Sequence, residues 1–368
     1  MNTCSLVAQV SLLSIWTRFL FKSLYQMNRL LFSLLIIILF TLFVSNLMWG
    51  SVQIPINSVI DILMGQEVEK ASWSTIVMQS RLPQAITAMV AGAAVSVAGL
   101  LLQSVFNNPL AGPSVLGIDT GASLGVAVAM LIFGSSFTDL PDWLMSLGQL
   151  PIIASAFVGS FVVLAVIMLF SNFIKSNLMV LIIGIMMGYF TSSLISVMNF
   201  FADQQGVHAY TIWGMGNFSS VSLSQLPSFV FVTSVSLVLS FLCIKPLNTL
   251  LLGARYAENL GVNIRRLRLL LLTITGLLTA MATAYCGPIS FIGLVVPHIA
   301  RLALRTSNHR VLLPATLIVG SSLALLCNLI SNWPGATGVI PLNAITPLIG
   351  APIILYVIIY QKKIEYFN

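Results

Sequence analysis

Long runs of apolar residues, separated by short polar segments, cover most of the chain. Residues 30–49 carry no charged side chain, and residues 311–361 carry none over a length sufficient for two spans, with Trp333, Pro334 and Gly335 as the break. A membrane-spanning helix needs about 20 predominantly apolar residues. The pattern therefore predicts an all-α integral membrane protein with about ten transmembrane helices. The predicted spans are residues 30–49, 82–106, 115–133, 150–170, 178–201, 226–244, 267–286, 289–304, 312–330 and 340–360.

Basic residues fall mainly on one side of this arrangement. With the N-terminus inside, fourteen of the sixteen Lys and Arg residues lie in cytoplasmic segments, and Lys70 and Arg81 lie outside. Cytoplasmic loops of membrane proteins are enriched in Lys and Arg. We therefore expect a multi-pass protein of the cell (inner or cytoplasmic) membrane with both termini in the cytoplasm.

The composition excludes a soluble protein, because 58% of the residues are hydrophobic and only 7% are charged, against about 25% charged in soluble domains. The net charge of +7 comes from residues at the ends of apolar runs, so it marks orientation and not a nucleic-acid surface. Four scattered cysteines form no CxxC pair. Neither a disulfide framework nor a metal site is therefore expected.

Catalytic motifs are missing from the sequence. Only three histidines occur, without an HExxH, GxSxG or GxxxxGK[ST] motif, so we expect no catalytic residue and no phosphate-binding loop in this chain. An intramembrane enzyme would need a nucleophile–base pair that the sequence does not offer. An ion-coupled secondary transporter is the alternative function, and it would need a carboxylate within the membrane, for which Asp119 is the candidate.

Residues 1–28 precede the first clear span and form an N-terminal extension. Leu6, Val10, Leu13 and Leu20 recur at helical spacing, as in a helix that lies in the membrane interface. Translation from Met27 explains the segment equally well, and both interpretations stay open. Residues 29–368 are predicted to form a single transmembrane domain.

Two breaks interrupt the apolar pattern, one at residues 107–113 and one around Gly287. Gly99 and Pro109 are ten residues apart, as are Gly287 and Pro297. Two halves with corresponding breaks, separated by an odd number of spans, would be inverted repeats, which are common in transporters. We therefore predict an inverted repeat.

Small residues recur at helical spacing in two spans. These are Gly184 and Gly188 in the fifth span, and Gly117, Gly121 and Gly125 in the third. Such residues let helix backbones approach closely, although a gate hinge is an equal alternative for Gly184 and Gly188. Asp119 lies at a helix start, where capping of the helix N-terminus is the expected role.

Two stretches of the chain carry a resemblance to a known family. The first contains RLP at 81–83, NPLAGP at 108–113 and LGIDTGA at 116–122. The second contains LG at 252–253, LGV at 260–262, GPISFIGLVVPHIAR at 287–301, HR at 309–310 and LLP at 312–314. Over residues 30–360 the chain resembles the FecCD family of ABC-importer permeases, which includes cobalamin, haem and ferric-siderophore permeases.

This resemblance implies the permease subunit of a binding-protein-dependent ABC importer that moves an iron chelate, haem or cobalamin. The implied partners are a second permease copy or homologous permease, two ATP-binding subunits, and a periplasmic or lipoprotein substrate-binding protein. No cofactor is expected on this chain, and ATP is expected on the partner subunit. Lipid surrounds the spans, and no nucleic acid is expected.

The resemblance and the chain pattern together give site predictions. Residues 253–266 are predicted to form the ATPase coupling loop, with a helix after Gly253, a contact face of Ala257 and Leu260, and a stop at Gly261. Arg81, placed outside against the charge bias, is the predicted docking residue for the binding protein. The predicted gate or path residues are Asn108, Pro109 and Leu110 in the first break, with Gly184 and Gly188.

The chain also departs from the family pattern. Ala254 and Arg255 replace acidic residues after the Leu-Gly of the loop, and Asn328 and Asn332 stand where an Asp and a later Arg are usual. Residues 339–341 replace the usual Glu-Leu-Pro. External docking contacts in this last region are therefore not carried over.

Overall fold

The computed structural model describes residues 29–132, 150–174, 176–333 and 338–361. These residues are largely helical and contain no β-strand, which confirms the all-α prediction. The predicted interfacial helix within residues 1–28 lies outside them, as do Pro334 and Gly335 of the last predicted break.

Fifteen helices are described within these ranges. They are α1 Arg29–Met48, α2 Ile56–Leu63, α3 Ala71–Thr75, α4 Leu82–Phe106, α5 Ile118–Ala127, α6 Leu150–Phe173, α7 Asn177–Phe201, α8 Gln204–Gly214, α9 Leu226–Leu242, α10 Ile244–Leu250, α11 Ala254–Asn259, α12 Ile264–Cys286, α13 Ile292–Leu304, α14 His309–Ser331 and α15 Leu342–Gln361. A π-helical turn, Ile76–Arg81, joins α3 to α4, and another, Val128–Ile132, extends α5. A 3₁₀ turn, Pro113–Leu116, precedes α5.

Among the described residues, six helices are long and apolar enough to cross a membrane: α1, the continuous helix Ala71–Phe106, α6, α7, α12 and α14. A seventh span results if α9 and α10, bent by 52°, count as one. Three shorter apolar helices remain: Ile118–Ile132, α13 and α15. Each predicted span corresponds to one of these ten features. The count of ten crossings and the cytoplasmic termini stay predictions, because the apolar parts of these three helices, which for α15 is Leu342–Val357, are only 10–17 residues long.

The centre of the molecule is formed by α4 and α12. The most apolar windows of the α3–α4 helix and of α12 are 83% and 78% buried, whereas that of α1 is 11% buried. A helix that is apolar on all sides belongs in a protein interior, and α4 has this character along its whole length. The outer helices α1, α6 and α7 instead leave large apolar side chains exposed, as a lipid environment requires.

Glycines allow α4 to contact two later helices closely. A Cβ atom at Gly92 would overlap the carbonyl oxygen of Gly320 in α14, and one at Gly99 would overlap that of Gly293 in α13. Small residues permit this backbone approach without side chains between the helices. The contacts hold α13 and α14 against the central helix.

Helices α5 and α13 begin inside the molecule. Gly293, at the start of α13, lies beside Val95 and Gly99 of α4 and beside Pro113. Gly99 precedes the end of α4 by seven residues, or about 10 Å at 1.5 Å per residue. Helix α13 therefore starts about 10 Å before the level at which α4 ends, after the break at residues 287–291, and α5 follows the break at residues 107–117. This correspondence agrees with the predicted inverted repeat, which stays a prediction.

Candidate functional site

Arg81 binds the end of α1 and is not exposed. Its guanidinium is buried and donates hydrogen bonds to the carbonyl oxygens of Leu47 and Met48, at 2.9 Å each, and of Val52. The last carbonyls of a helix have no partner within the helix, and a cation there also interacts favourably with the helix dipole. The guanidinium donors of Arg81 are thus already bonded within this chain, and its docking role stays an untested prediction.

An amide cluster lies next to Arg81, where α1, α4 and α14 meet on the side predicted to face outward. Asn328 Nδ2 donates to Asn46 Oδ1 at 2.8 Å, and Gln84 Nε2 donates to Asn328 Oδ1 at 3.0 Å. Asn332 Nδ2 also contacts Asn328 Oδ1, at 3.2 Å. The two positions where the family carries opposite charges are thus joined here by neutral amides. Sequence reasoning missed Asn46 and Gln84, although amides within apolar spans were a visible signal.

The first break forms a turn at the C-terminal end of α4, on the side predicted to face the cytoplasm. Asn107 ends the helix with a left-handed backbone, φ 46°, and Asn108 Oδ1 accepts a hydrogen bond from the Leu110 amide at 2.9 Å. The carbonyl oxygen of Pro109 accepts from Nε2 of His298 in α13, at 2.8 Å. The Leu110 side chain is exposed. Backbone outside helices at membrane depth needs a covering of protein or a water-filled cavity, and α13 provides part of that covering.

Gly184 and Gly188 are packing positions in this structure. A Cβ at Gly117 would lie 2.9 Å from the carbonyl oxygen of Gly184 and 3.0 Å from the amide nitrogen of Gly188. A Cβ at Gly184 would in turn lie 2.9 Å from the Cα of Leu116. The pair therefore seats α7 against the start of α5. Of the two interpretations left open by the sequence, this geometry favours packing, and the gate role stays a prediction.

Asp119 does not cap α5. The N-cap position is Gly117, and the structure gives it no side-chain hydrogen bond, so the capping prediction is wrong. The Asp119 carboxylate is buried, and its Oδ1 accepts from Thr283 Oγ1 of α12 at 3.0 Å. Asp119 therefore joins α5 to the central helix.

The predicted coupling loop contains the expected helix and its expected end. Gly253 precedes α11 with φ +97°, and Gly261 follows it with φ +85°. The Val262 amide donates to the Ala257 carbonyl, and the Gly261 amide donates to the Glu258 carbonyl. This is the Schellman arrangement in which glycine supplies the left-handed residue, and it confirms the stop at Gly261.

The exposed face of α11 differs from the predicted one. Ala257 is completely buried within this chain, so it cannot lie on a contact face for a partner, and that part of the prediction is wrong. Leu260 is 61% exposed, as predicted, together with Leu252 and Tyr256. These three side chains form the apolar surface of the coupling loop.

A further group, missed from the sequence, lies where α4, α10 and α14 meet at the cytoplasmic side. His309 Nδ1 and its amide nitrogen both contact Asn248 Oδ1, at 2.9 and 2.8 Å. His309 Nε2 lies 2.8 Å from Ser104 Oγ. We call these three residues the cytoplasmic relay. In the sequence, His309 stands out only as part of the HR pair at 309–310, because the sequence does not reveal contacts between distant segments.

Arg301 of α13 contacts the same end of α4. Its Nη1 donates to Gln103 Oε1 at 2.6 Å, while Gln103 Nε2 donates to the Leu294 carbonyl at 3.2 Å. Among the described residues, no group of three or more His, Cys, Asp or Glu side chains could hold a metal ion. The polar groups of this end instead connect helices to one another.

These features define a multi-pass membrane permease with interrupted helices and a structured loop on its basic side. The FecCD transport family matches residues 35–360, and the chain belongs to this family. Its members are permease subunits of ABC transporters and are not themselves enzymes.

Several relatives match over most of their length. The chain is 31% identical to the hemin transport system permease protein HmuU of Yersinia pestis, covering 91% of this chain and 97% of that protein. It is 32% identical to the vitamin B12 import system permease protein BtuC of Klebsiella pneumoniae, covering 91% and 95%. A solved inward-facing structure of a metal-chelate type ABC transporter superposes with a TM-score of 0.76 at 28% identity, covering 91% and 99%. The chain is thus an ABC-importer permease of the cytoplasmic membrane.

Proposed function

We propose that this chain forms the path of a binding-protein-dependent importer for an iron chelate, haem or cobalamin. The observation that carries the proposal is the nearly full-length match to two permeases named for hemin and for vitamin B12. Both of those substrates are bulky metal-bound macrocycles, so the proposed substrate class is a large metal chelate. The two relatives are almost equally similar to this chain, and the similarity therefore supports the class and not one member of it.

In the proposed cycle, ATP is bound and hydrolysed by two partner subunits at the cytoplasmic face. The coupling loop supports this arrangement, because it exposes Leu252, Tyr256 and Leu260 next to Arg255 and Arg265. An apolar centre with charged residues around it is the usual form of a protein–protein contact. The short helix α11, ended by Gly261, gives the loop a fixed shape, which suits a part that transmits force.

The path is proposed to run between two copies of this chain, or between this chain and a homologous permease. The break at residues 107–113 would lie at its cytoplasmic end, with Leu110 as the exposed side chain. On the external side, a substrate-binding protein would deliver the chelate. Because the Arg81 donors already bind α1 carbonyls, other external groups would make the docking contacts in this conformation.

Transport into proteoliposomes tests the proposal. The permease is reconstituted with its ATP-binding subunits and binding protein, and uptake of hemin, cyanocobalamin and a ferric siderophore is measured with ATP inside. Uptake of one of them that requires ATP, and that stops when the ATPase lacks its catalytic glutamate, is the expected result. Uptake driven by a proton or sodium gradient without ATP would instead establish the alternative, a secondary transporter.

A further inference from the structure

The helix before the coupling loop is attached to the cytoplasmic end of α4. Helix α10 follows the 52° bend after α9 and leads, through Leu251 and Leu252, directly to Gly253. Leu247 of α10 is completely buried, and it lines a small cavity together with Ser104 and Asn107. A displacement of the coupling loop can therefore reach the last turn of α4 through α10, in addition to reaching α12 at the other end of the loop.

The cytoplasmic relay joins α10 to α4 through hydrogen bonds whose donors and acceptors can be assigned. Asn248 Nδ2 donates to Asn308 Oδ1 at 2.9 Å, so Oδ1 of Asn248 faces His309. The ring nitrogen Nδ1 must then carry the hydrogen, and in the neutral ring Nε2 can only accept, so it receives the Ser104 hydroxyl hydrogen in competition with the Leu100 carbonyl of α4, which lies 2.9 Å from the same oxygen. One imidazole thus joins α10 to α4 through its two nitrogens, while its own backbone belongs to α14.

The relay ends close to the first break. Ser104 lies three residues before Asn107, the left-handed residue that ends α4. From the other side, His298 binds the Pro109 carbonyl. The break is therefore held on one side by α13 and on the other by the end of α4. The relay fixes the position of the end of α4 relative to α10.

Helix capping alone does not account for the relay. Asn308 Oδ1 already accepts from the Arg310 amide at 3.0 Å and caps α14. The Asn248 side chain comes from a different helix, and the Ser104–His309 contact caps no helix end. The three residues thus connect separate helices, and two of them, Asn248 and Ser104, lie on the two helices whose relative movement matters for transport.

We propose that Asn248, His309 and Ser104 are positioning residues that transmit movement of the coupling loop to the break at residues 107–113. The inference rests on the proposed function, because it assumes an ATPase seated on the coupling loop. When α10 moves, the hydrogen bonds carry the end of α4 with it, and the break changes its exposure to the cytoplasm. Without the relay, α10 moves while the break stays in place.

The test compares Asn248→Ala and Ser104→Ala with the control Thr249→Ala. Thr249 lies next to Asn248, but its hydroxyl bonds only Lys245 of its own helix, at 3.0 Å. Each variant is purified with its ATPase, and two quantities are measured: substrate imported per ATP hydrolysed, and the nucleotide dependence of thiol labelling at Leu110→Cys. The labelling background has its native cysteines replaced by alanine.

Both relay variants are expected to assemble and to hydrolyse ATP, with imported substrate per ATP reduced by at least about fivefold, the lower end of usual coupling effects. Labelling of Leu110→Cys should lose its nucleotide dependence. The double variant should be no worse than the stronger single one, since both break the same chain of contacts. If Asn248→Ala fails to assemble, Ser104→Ala decides, because it removes only one hydroxyl.

Relay variants with the same import per ATP as Thr249→Ala would overturn the inference. A general loss of stability, with import and hydrolysis falling together, would also overturn it, because that result describes a structural contact. Failure of the proposed function is distinguishable, since the unmodified complex would then show no ATP-dependent import.

Discussion

At the scale of single residues, three buried charged or polar side chains of this membrane protein are bonded to neutral partners. Arg81 binds backbone carbonyls, Asp119 accepts from a threonine hydroxyl, and His298 donates to a carbonyl. A buried polar group left without its partner costs more than the bond itself contributes. Each of these residues therefore mainly fixes the position of a helix, and removing its side chain should lower the free energy of unfolding.

Arg81→Lys should destabilise the protein while leaving binding-protein affinity unchanged. A lysine has three N–H donors on a single nitrogen and cannot reproduce the spread of the two guanidinium nitrogens that reach the carbonyls of Leu47, Met48 and Val52, so the expected loss is about 2–3 kcal/mol. Thermal unfolding in lipid nanodiscs measures it, with Lys70→Ala as the control because Lys70 only lies over the Trp73 ring. If the melting temperature is unchanged and the affinity for the binding protein falls in a salt-dependent way, the docking role of Arg81 is supported.

Asp119→Asn should be tolerated. The amide oxygen can still accept from Thr283 Oγ1, so the stability should change by no more than about 1 kcal/mol, and ATP-dependent import should continue. An ion-coupled transporter would need the carboxylate itself to carry its ion. Import abolished by Asp119→Asn in a stably folded protein would therefore support the ion-coupled alternative, and uptake measured at several proton gradients completes the comparison.

At the scale of elements, glycines determine how closely helices pack and where the chain turns. Gly92 and Gly99 allow α14 and α13 to reach the backbone of α4. The coupling loop owes its shape to Gly253 and Gly261, which lie in the left-handed region that other residues avoid. The first pair serves close approach and the second serves chain reversal, so substitutions at the two should fail in different ways.

Gly99→Ala should disrupt the contact between α4 and α13. The added methyl overlaps the Gly293 carbonyl, and overpacking of this kind costs about 1–3 kcal/mol. Gly214→Ala is the control, because nothing lies within 4 Å of the new methyl and alanine favours a helix. Thermal unfolding of both variants gives the comparison. Equal melting temperatures of the Gly99→Ala and Gly214→Ala variants would mean that the close contact between α4 and α13 does not contribute to stability.

Leu260→Glu should weaken complex formation with the ATPase by at least about tenfold, which is 1.4 kcal/mol, without affecting the fold. Leu260 is exposed in the coupling loop, whereas Ala257 is completely buried. Ala257→Glu should therefore misfold the loop itself. Co-purification and size-exclusion chromatography distinguish the two effects. A Leu260→Glu permease that binds its ATPase normally would exclude this surface as the contact.

At the scale of the whole molecule, the chain is a bundle with two central helices and a lipid-facing rim. Its basic residues mark one side: among the described residues, Arg255, Arg305 and Arg310 are exposed at the side predicted to face the cytoplasm. The topology is therefore open to a direct test.

Single cysteines should report the two sides of the membrane. In a background without native cysteines, Gln66→Cys is expected to react with an impermeant thiol reagent added outside intact cells. Arg255→Cys should react only after the membrane is opened, because the coupling loop lies inside. Both positions are exposed, so access depends on the side alone. Labelling of Arg255→Cys in intact cells would contradict the orientation and the even number of spans.

The sequence predicted the features that depend on local pattern. The apolar runs gave the helices, and the glycine stop at Gly261 followed from local backbone chemistry. It did not predict contacts between distant segments: Asp119 meets Thr283, 164 positions later, and Arg81 meets carbonyls more than thirty positions earlier. The burial of Ala257 likewise depends on packing against neighbouring helices, which no local pattern records.

The internal starts of α5 and α13 bear on how the chain enters the bilayer during synthesis. Helix α13 has only 13 residues, and they include His298 and Arg301. A segment this short and polar does not insert stably into lipid by itself. Its surroundings must already be in place when it leaves the ribosome. Helix α4, made much earlier, supplies the Gly99 surface and the Gln103 partner. Helix α4 thus provides the surface that holds α13 in the membrane, whereas α12 and α14 are long and apolar enough to span it by themselves.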